Sequence, residues 1–184
     1  MNLTAALKIH GFTNEGELRW LAEQASIRSK IVEIGSWKGR STRAMADNTN
    51  GTIYAVDTWK GTPEDPHFKE LIGKPDSYLI DLFGANMDPL WFEPPHKVRC
   101  VQLPSLEAAK YIGGRAPFDM IFIDAAHDYE NVVADIRAWQ PLLAPGGLLC
   151  GHDFEPGRGG VIRAVKDCLP NARRLGIGTI WVAA

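Results

Sequence analysis

The sequence has little that would suit a secreted or membrane-bound chain. Its three cysteines, Cys100, Cys150 and Cys168, are odd in number and form no C-x-x-C pair. That excludes a sequence-readable disulfide framework and a cysteine-ligated metal site, and predicts reduced, mostly buried thiols in a cytoplasmic protein. No apolar run is long enough to cross a bilayer. Met1 to Gly11 carries Leu3, Leu7 and Ile9 but not the continuous apolar stretch of a secretory signal. Charge of one sign is also missing. The formal net charge is -2, and the basic residues are scattered apart from Arg173-Arg174, so there is no electrostatic case for nucleic acid. There is no internal repeat and no low-complexity tract.

What is there suits one soluble domain: 184 residues, 45% of them apolar and 23% charged. Asn14 with Glu17 reads as a capping box, and Leu18, Leu21, Ala22 and Ala25 follow at helical spacing. Short apolar runs then alternate with helical patterns. Strands are predicted over Ile31–Ile34, Thr52–Asp57, Val98–Leu103, Phe118–Asp124 and Leu148–Gly151. Helices are predicted over Ser41–Asn48, Ser105–Tyr111, Tyr129–Trp139 and Val161–Cys168. Gly176-Ile177-Gly178 separates two short runs that read as an antiparallel hairpin. Alternation of this kind predicts an α/β fold, a doubly wound and mostly parallel sheet. Residues 58–95 are irregular and long for a βα connection, which predicts either a lid or substrate wall or a helix packed on the sheet.

The most informative pattern is a strand running into glycines, Val32-Glu33-Ile34-Gly35-Ser36-Trp37-Lys38-Gly39, followed about twenty residues later by the acid of Ala55-Val56-Asp57. Glycines let a ligand approach the backbone, and a carboxylate at the end of the next strand takes ribose hydroxyls. In a sheet with right-handed crossovers the ligand crevice lies at the carboxyl ends of the strands. Glu33 to Ser41, Asp57, Ser105, Asp124 and His152-Asp153 all fall at such ends.

With these segments in order, the chain resembles the class I S-adenosylmethionine-dependent methyltransferases, and within them the small Rossmann-like group of sugar and macrolide O-methyltransferases. The likeness rests on Glu33 to Ser41, on Ala55-Val56-Asp57-Thr58-Trp59, on Asp119 to Glu130, and on Leu142 to Gly147 through Gly151-His152-Asp153. It departs at Trp37, where many members have a third glycine, so the turn is wider or the indole borders the cofactor. No Asn-Pro-Pro-Tyr-like motif of amino-group methyltransferases is present.

The resemblance implies a seven-stranded methyltransferase sheet ending in the antiparallel hairpin, with S-adenosylmethionine as cofactor. It implies that Glu33 orients the amino-acid end of that cofactor and that Gly35 and Gly39 leave room for it. Ser36, Trp37 and Ser41 line the turn. Asp57 with Thr58 holds the ribose. Leu103 and Ser105 lie along the adenine, and Asp124 with Ala125 lies beside the reactive methyl. Ser105 serves equally well as a helix N-cap.

Three readings stay open at Asp124, His127, His152 and Asp153. Asp124, His152 and Asp153 stand where catechol-type relatives hold a divalent cation, Mg²⁺ or Mn²⁺, although an imidazole favours a softer metal and Ala126 lacks a carboxylate found in some relatives. His127 or His152 is a general base for an acceptor hydroxyl, with Asp124 the third catalytic candidate. The plainest reading is that Asp128 and His127 cap the next helix and His152 is a packed loop residue. Trp59, Trp91, Phe92 and Tyr129 are candidate walls of an acceptor pocket, while Trp20, Trp139 and Trp181 are core. Arg158 in a mobile loop is a candidate contact for an anionic acceptor. The expected partners are a sugar or small-molecule acceptor and a second copy of the chain docking through the aromatic stretch at 58–95. The rival functions are an NAD(P)-dependent oxidoreductase and a non-catalytic module that binds S-adenosylmethionine.

Overall fold

The computed structural model describes residues 1–61, 66–93 and 95–183. Its centre is β1 (Lys30–Ile34), which pairs in parallel with both β2 (Thr52–Asp57) and β4 (Phe118–Ile123). β3 (Val98–Gln102) joins β2, and β5 (Leu143–Gly151) joins β4, both in parallel. The chain then reverses: β7 (Trp181–Val182) runs antiparallel to β5, and β6 (Arg173–Arg174) antiparallel to β7. The sheet order is β3-β2-β1-β4-β5-β7-β6. The expected hairpin is present, at two residues per strand.

Apolar residues cover both faces, as parallel strands require. β1 alternates strictly. Ile31 belongs to the face covered by α1 (Glu15–Ser26), α2 (Arg40–Ala46) and α3 (Tyr78–Met87). Val32 and Ile34 belong to the face covered by α4 (Ser105–Ile112), α5 (Tyr129–Trp139) and α6 (Gly159–Cys168). Glu33 therefore points to the same side as Ile31, toward α2.

The stretch at 58–95 is a packed helix with ragged ends. α3 lays Leu79, Phe83 and Met87 against the sheet, and Trp59, 1% exposed, packs at a tilt on Phe83 with ring centroids 4.9 Å apart and planes at 53°. Thr62, Pro63 and Pro94 of that stretch lie outside the described residues. Burial of Trp59 removes it from the expected acceptor wall and from any docking surface. Trp91 packs edge-on to Phe83 and stacks on Phe92, beside the start of β3, where Val98 N donates to Leu90 O. Neither aromatic is at the carboxyl ends of the strands, so neither borders the expected crevice. Trp139 and Trp181 are fully buried, as expected, and Trp20 is only partly so. All three cysteines are free thiols. No described helix is long and apolar enough to cross a membrane.

Candidate active site

Four strands finish flush. Gly35 N donates to Val56 O, Asp124 N to Ile34 O, and His152 N to Ile123 O, at 2.8, 2.8 and 3.1 Å. These rungs bring the residues after β1, β2, β4 and β5 to one end of the sheet. Gly35 makes this possible: its φ is +90°, and a Cβ there would stand 2.1 Å from Asp124 O. Only glycine fits the turn.

Glu33 is wholly buried. Its Oε2 accepts from Ser36 Oγ at 2.8 Å and from Thr42 Oγ1. Its Oε1 makes no hydrogen bond of ordinary geometry among the described residues, with the Ser41 hydroxyl the further donor near this carboxyl. Burial pushes this carboxyl above the usual range, against the hydroxyl donors of Ser41, Thr42 and Ser36. A buried carboxylate oxygen without a donor is costly.

Asp57 links the two halves of the turn. Its Oδ2 accepts from Trp37 N at 2.8 Å and its Oδ1 from Trp59 N at 2.7 Å. The amides of Thr58 and Ser36 also point at this carboxylate. Burial raises its pKa, offset in part by these backbone amides. The Trp37 indole turns outward. It stacks on Phe12, with ring centroids 5.2 Å apart and planes at 15°. Its φ of +42° is the backbone adjustment that replaces the missing glycine.

The third group lies at the ends of β4 and β5. His152 Nδ1 stands 3.5 Å from Asp124 Oδ1 and 3.5 Å from Asp153 Oδ1. His152 Nε2 faces Glu17 Oε1 at 3.1 Å, and His127 Nε2 faces Asp153 Oδ2 at 2.9 Å. Burial opposes a charge on His152, but Asp124, Asp153 and Glu17 outweigh it and push its pKa up to about 11. Burial, aided by Asp153 and Glu33, raises Asp124 to about 7 even with His152 beside it. Burial also works to raise Asp153, yet the two imidazoles hold it well below the usual range. Glu33 acts on Asp124, and Asp57 on Glu33, so the three groups form one electrostatic site.

A family model described as a methyltransferase domain matches residues 32–154, a span that includes all three groups. The chain belongs to this family. An uncharacterized protein, y4gI, of Sinorhizobium fredii is 28% identical over 141 residues, 74% of this chain and 14% of that protein. The chain thus spans about one-seventh of the length of the curated relative it matches. Among solved structures, the TDP-rhamnose 3'-O-methyltransferase CalS11 of calicheamicin biosynthesis superposes with a TM-score of 0.63 at 19% identity, covering 93% of this chain and 81% of that one. An O-methyltransferase from Bacillus cereus in complex with SAH gives 0.60 at 19% identity, covering 99% and 87%. At these identities the likeness is one of fold.

In this methyltransferase domain several expected site residues have other partners. Ser105 is neither the N-cap of α4, which is Pro104, nor free: its hydroxyl donates to Asp135 and accepts from Trp139 Nε1 at 2.9 Å. Both partners lie on α5, so the hydroxyl joins two helices. Leu103 packs against the core beside α4. Thr58 Oγ1 accepts from Lys60 N at 3.3 Å, and Ala125 is exposed. Asp128 does cap α5, accepting from Asn131 N, but His127 does not share that role. Arg158 is not in a loop. It ends a short 3-10 turn before α6, with its Nε 3.9 Å from Asp153 Oδ1. Tyr129 is engaged on the surface, its hydroxyl on Asp167 and Arg163 over its ring.

Two contributors escape a reading by sequence. Thr42, on α2, shares Glu33 with Ser36. Glu17 satisfies its capping box, and that local explanation conceals its contact with His152 across the fold. The glycine at 178 is the one available signal, since a Cβ there would stand 1.9 Å from Glu17 Oε1.

Proposed function

We propose that this chain is an S-adenosylmethionine-dependent O-methyltransferase domain acting on the hydroxyl of a sugar or other small molecule. The observation that carries the reading is the buried Glu33 Oε1, without a hydrogen bond among the described residues, one strand from Asp57 and joined to it through the Trp37 turn. An ammonium group satisfies the buried oxygen, and ribose hydroxyls donate to the Asp57 carboxylate at the end of the next strand. Gly35, Ser36, Trp37, Gly39 and Ser41 form the turn between them. A nicotinamide dinucleotide has no ammonium tail to donate to Glu33. The sugar acceptor is suggested by CalS11, whose own substrate is TDP-rhamnose.

When bound, the cofactor supplies a sulfonium methyl with an excellent leaving group. The chain then has to align the acceptor oxygen, exclude water and take a proton. His127 is the proton acceptor we assign. Its Nε2–H goes to Asp153, so Nδ1 is an open lone pair on a side chain that is 32% exposed. His152 is poorly suited: it is 7% exposed, and carboxylates face both ring nitrogens.

Asp124, His152 and Asp153 also fit a divalent cation, Mg²⁺ or Mn²⁺. One donor atom from each lies within 4.8 Å of the others. With its Nε2–H given to Glu17, His152 turns Nδ1 toward two carboxylate oxygens, an arrangement that calls for positive charge between them. In the metal-free chain a proton on Nδ1 supplies it. Mixed oxygen and imidazole donors favour Mn²⁺ over Mg²⁺. A cation held by these three residues would lower the pKa of an acceptor hydroxyl.

Calorimetric titration of the full chain with S-adenosylhomocysteine and with NAD⁺ tests the cofactor reading. Binding of the first and not the second is expected, and the reverse overturns it. His127→Ala separates enzyme from binding module. S-adenosylhomocysteine affinity should stay, while methyl transfer to a panel of sugar and phenolic hydroxyls should fall about 10²–10⁴-fold. Undiminished transfer removes His127 from the mechanism.

A further inference from the structure

Glu17 does more than its position in the chain requires. As the third residue of α1 it completes a capping box, and one oxygen suffices: Oε2 accepts from Asn14 N at 2.8 Å. Capping glutamates work in water, and burying a carboxylate is costly unless it is fully partnered. Glu17 is nevertheless 1% exposed. Its second oxygen leaves the helix and accepts from Thr179 N at 2.6 Å, from Thr179 Oγ1 at 3.3 Å and from His152 Nε2 at 3.1 Å. The backbone is cut away for it at Gly178, which has φ +55°.

We propose that Glu17 is a positioning residue that fixes the His152 ring, with Nε2–H toward α1 and Nδ1 toward Asp124 and Asp153. This rests on the reading of those residues as the reactive end of the site. The chemistry is that of an acceptor-only group holding a proton on one ring nitrogen. An ionised carboxylate can only accept, so Nε2 keeps its proton whether Nδ1 carries a second proton, as in the metal-free chain, or faces a cation. The other nitrogen then faces the two acids. Carboxylates behind a ligating histidine orient the ring and raise its basicity in the same way. Without Glu17 nothing else among the described contacts of His152 selects Nε2 as donor, and the ring is free to turn over.

A purely structural role is the alternative, since the same carboxylate ties α1 to the turn before β7. Glu17→Gln separates the two. Glutamine occurs in capping boxes, but it keeps one acceptor oxygen where the glutamate uses two, so retention of the fold is read first from far-ultraviolet circular dichroism. Asn14→Ala is the control, weakening the cap without touching His152. Two readings are taken on each full-length chain: the imidazole Nε2–H resonance of His152 by ¹H–¹⁵N correlation on metal-free protein, and Mn²⁺ affinity by electron paramagnetic resonance.

In wild type and Asn14→Ala the resonance is expected to be protected from solvent exchange. In Glu17→Gln it should move upfield or broaden away, and Mn²⁺ should bind about 10–100-fold more weakly. S-adenosylhomocysteine affinity should not change. If Glu17→Gln leaves both the resonance and the Mn²⁺ affinity as in wild type, the residue is only a clasp and the proposal is overturned. A wild-type chain that takes up no Mn²⁺ refutes the cation reading, and the resonance alone then decides the role of Glu17. Should Glu17→Gln not fold, Glu17→Asp, which withdraws the charge by one methylene, is read in the same two ways.

Discussion

Asp135 offers a test of the packing between α4 and α5 that needs neither cofactor nor acceptor. The residue is 4% exposed and takes the Ser105 hydroxyl as its donor. Burial, opposed by that hydrogen bond and aided by Asp128, raises its pKa from 3.8 to about 6. A rise of roughly two units corresponds to about 3 kcal/mol between the protonation states. The folded chain holds this proton longer than the unfolded one. Its contribution to stability is therefore fully present below about pH 4 and is lost as the pH rises to about 6. Asp135→Asn removes the titration and keeps an oxygen for Ser105. Urea unfolding of both chains at pH 4, 5, 6 and 7 gives a difference in which every other titrating group cancels. That difference should shift by about 3 kcal/mol in favour of the variant between pH 4 and pH 7. An unpartnered amide N–H in the variant moves the whole curve by about 1–3 kcal/mol but not its shape. A difference that stays flat across that range would refute the reasoning.

Asp57→Asn should weaken S-adenosylhomocysteine binding by about 10- to 100-fold, since charge-assisted hydrogen bonds contribute roughly 1.5–3 kcal/mol, and titration calorimetry reads this directly. Unchanged affinity would separate Asp57 from the ribose. Gly35→Ala puts a Cβ 2.1 Å from Asp124 O and 2.7 Å from Ala125 Cα, at a φ of +90°. The backbone strain alone costs about 1–3 kcal/mol, and β1 and β4 must also part at their ends. The variant should lose stability to urea together with cofactor binding. A chain as stable as wild type would mean that the turn relaxes at little cost.

The strands, helices and their order were legible because each carries its own period. Ile31 to Ile34 and Phe118 to Ile123 are apolar runs covered on both faces, and the helices repeat their apolar residues at the spacing of one stripe. Glu33 was legible for the opposite reason: a carboxylate within a buried strand breaks that pattern and has to be explained. What escaped depends on contacts that no local spacing encodes. Ser105 carries the signature of a helix start, yet its hydroxyl is used by Asp135 and Trp139, in the next helix of the same face. Trp59 follows the acid of β2 like a residue lining a crevice, but φ +52° turns it inward onto Phe83, with its Nε1–H on Trp37 O. Glu17 was hidden by a local explanation that was correct and incomplete.

The room left for that carboxylate by Gly178 has a consequence for descent. A side chain at 178 would meet the glutamate at 17 and would also have to hold φ +55°, so it is expected only after a smaller residue has arisen at 17, and then first as asparagine or aspartate. Two sites near opposite ends of the polypeptide are therefore ordered in descent: 17 can change alone, and 178 changes only after it.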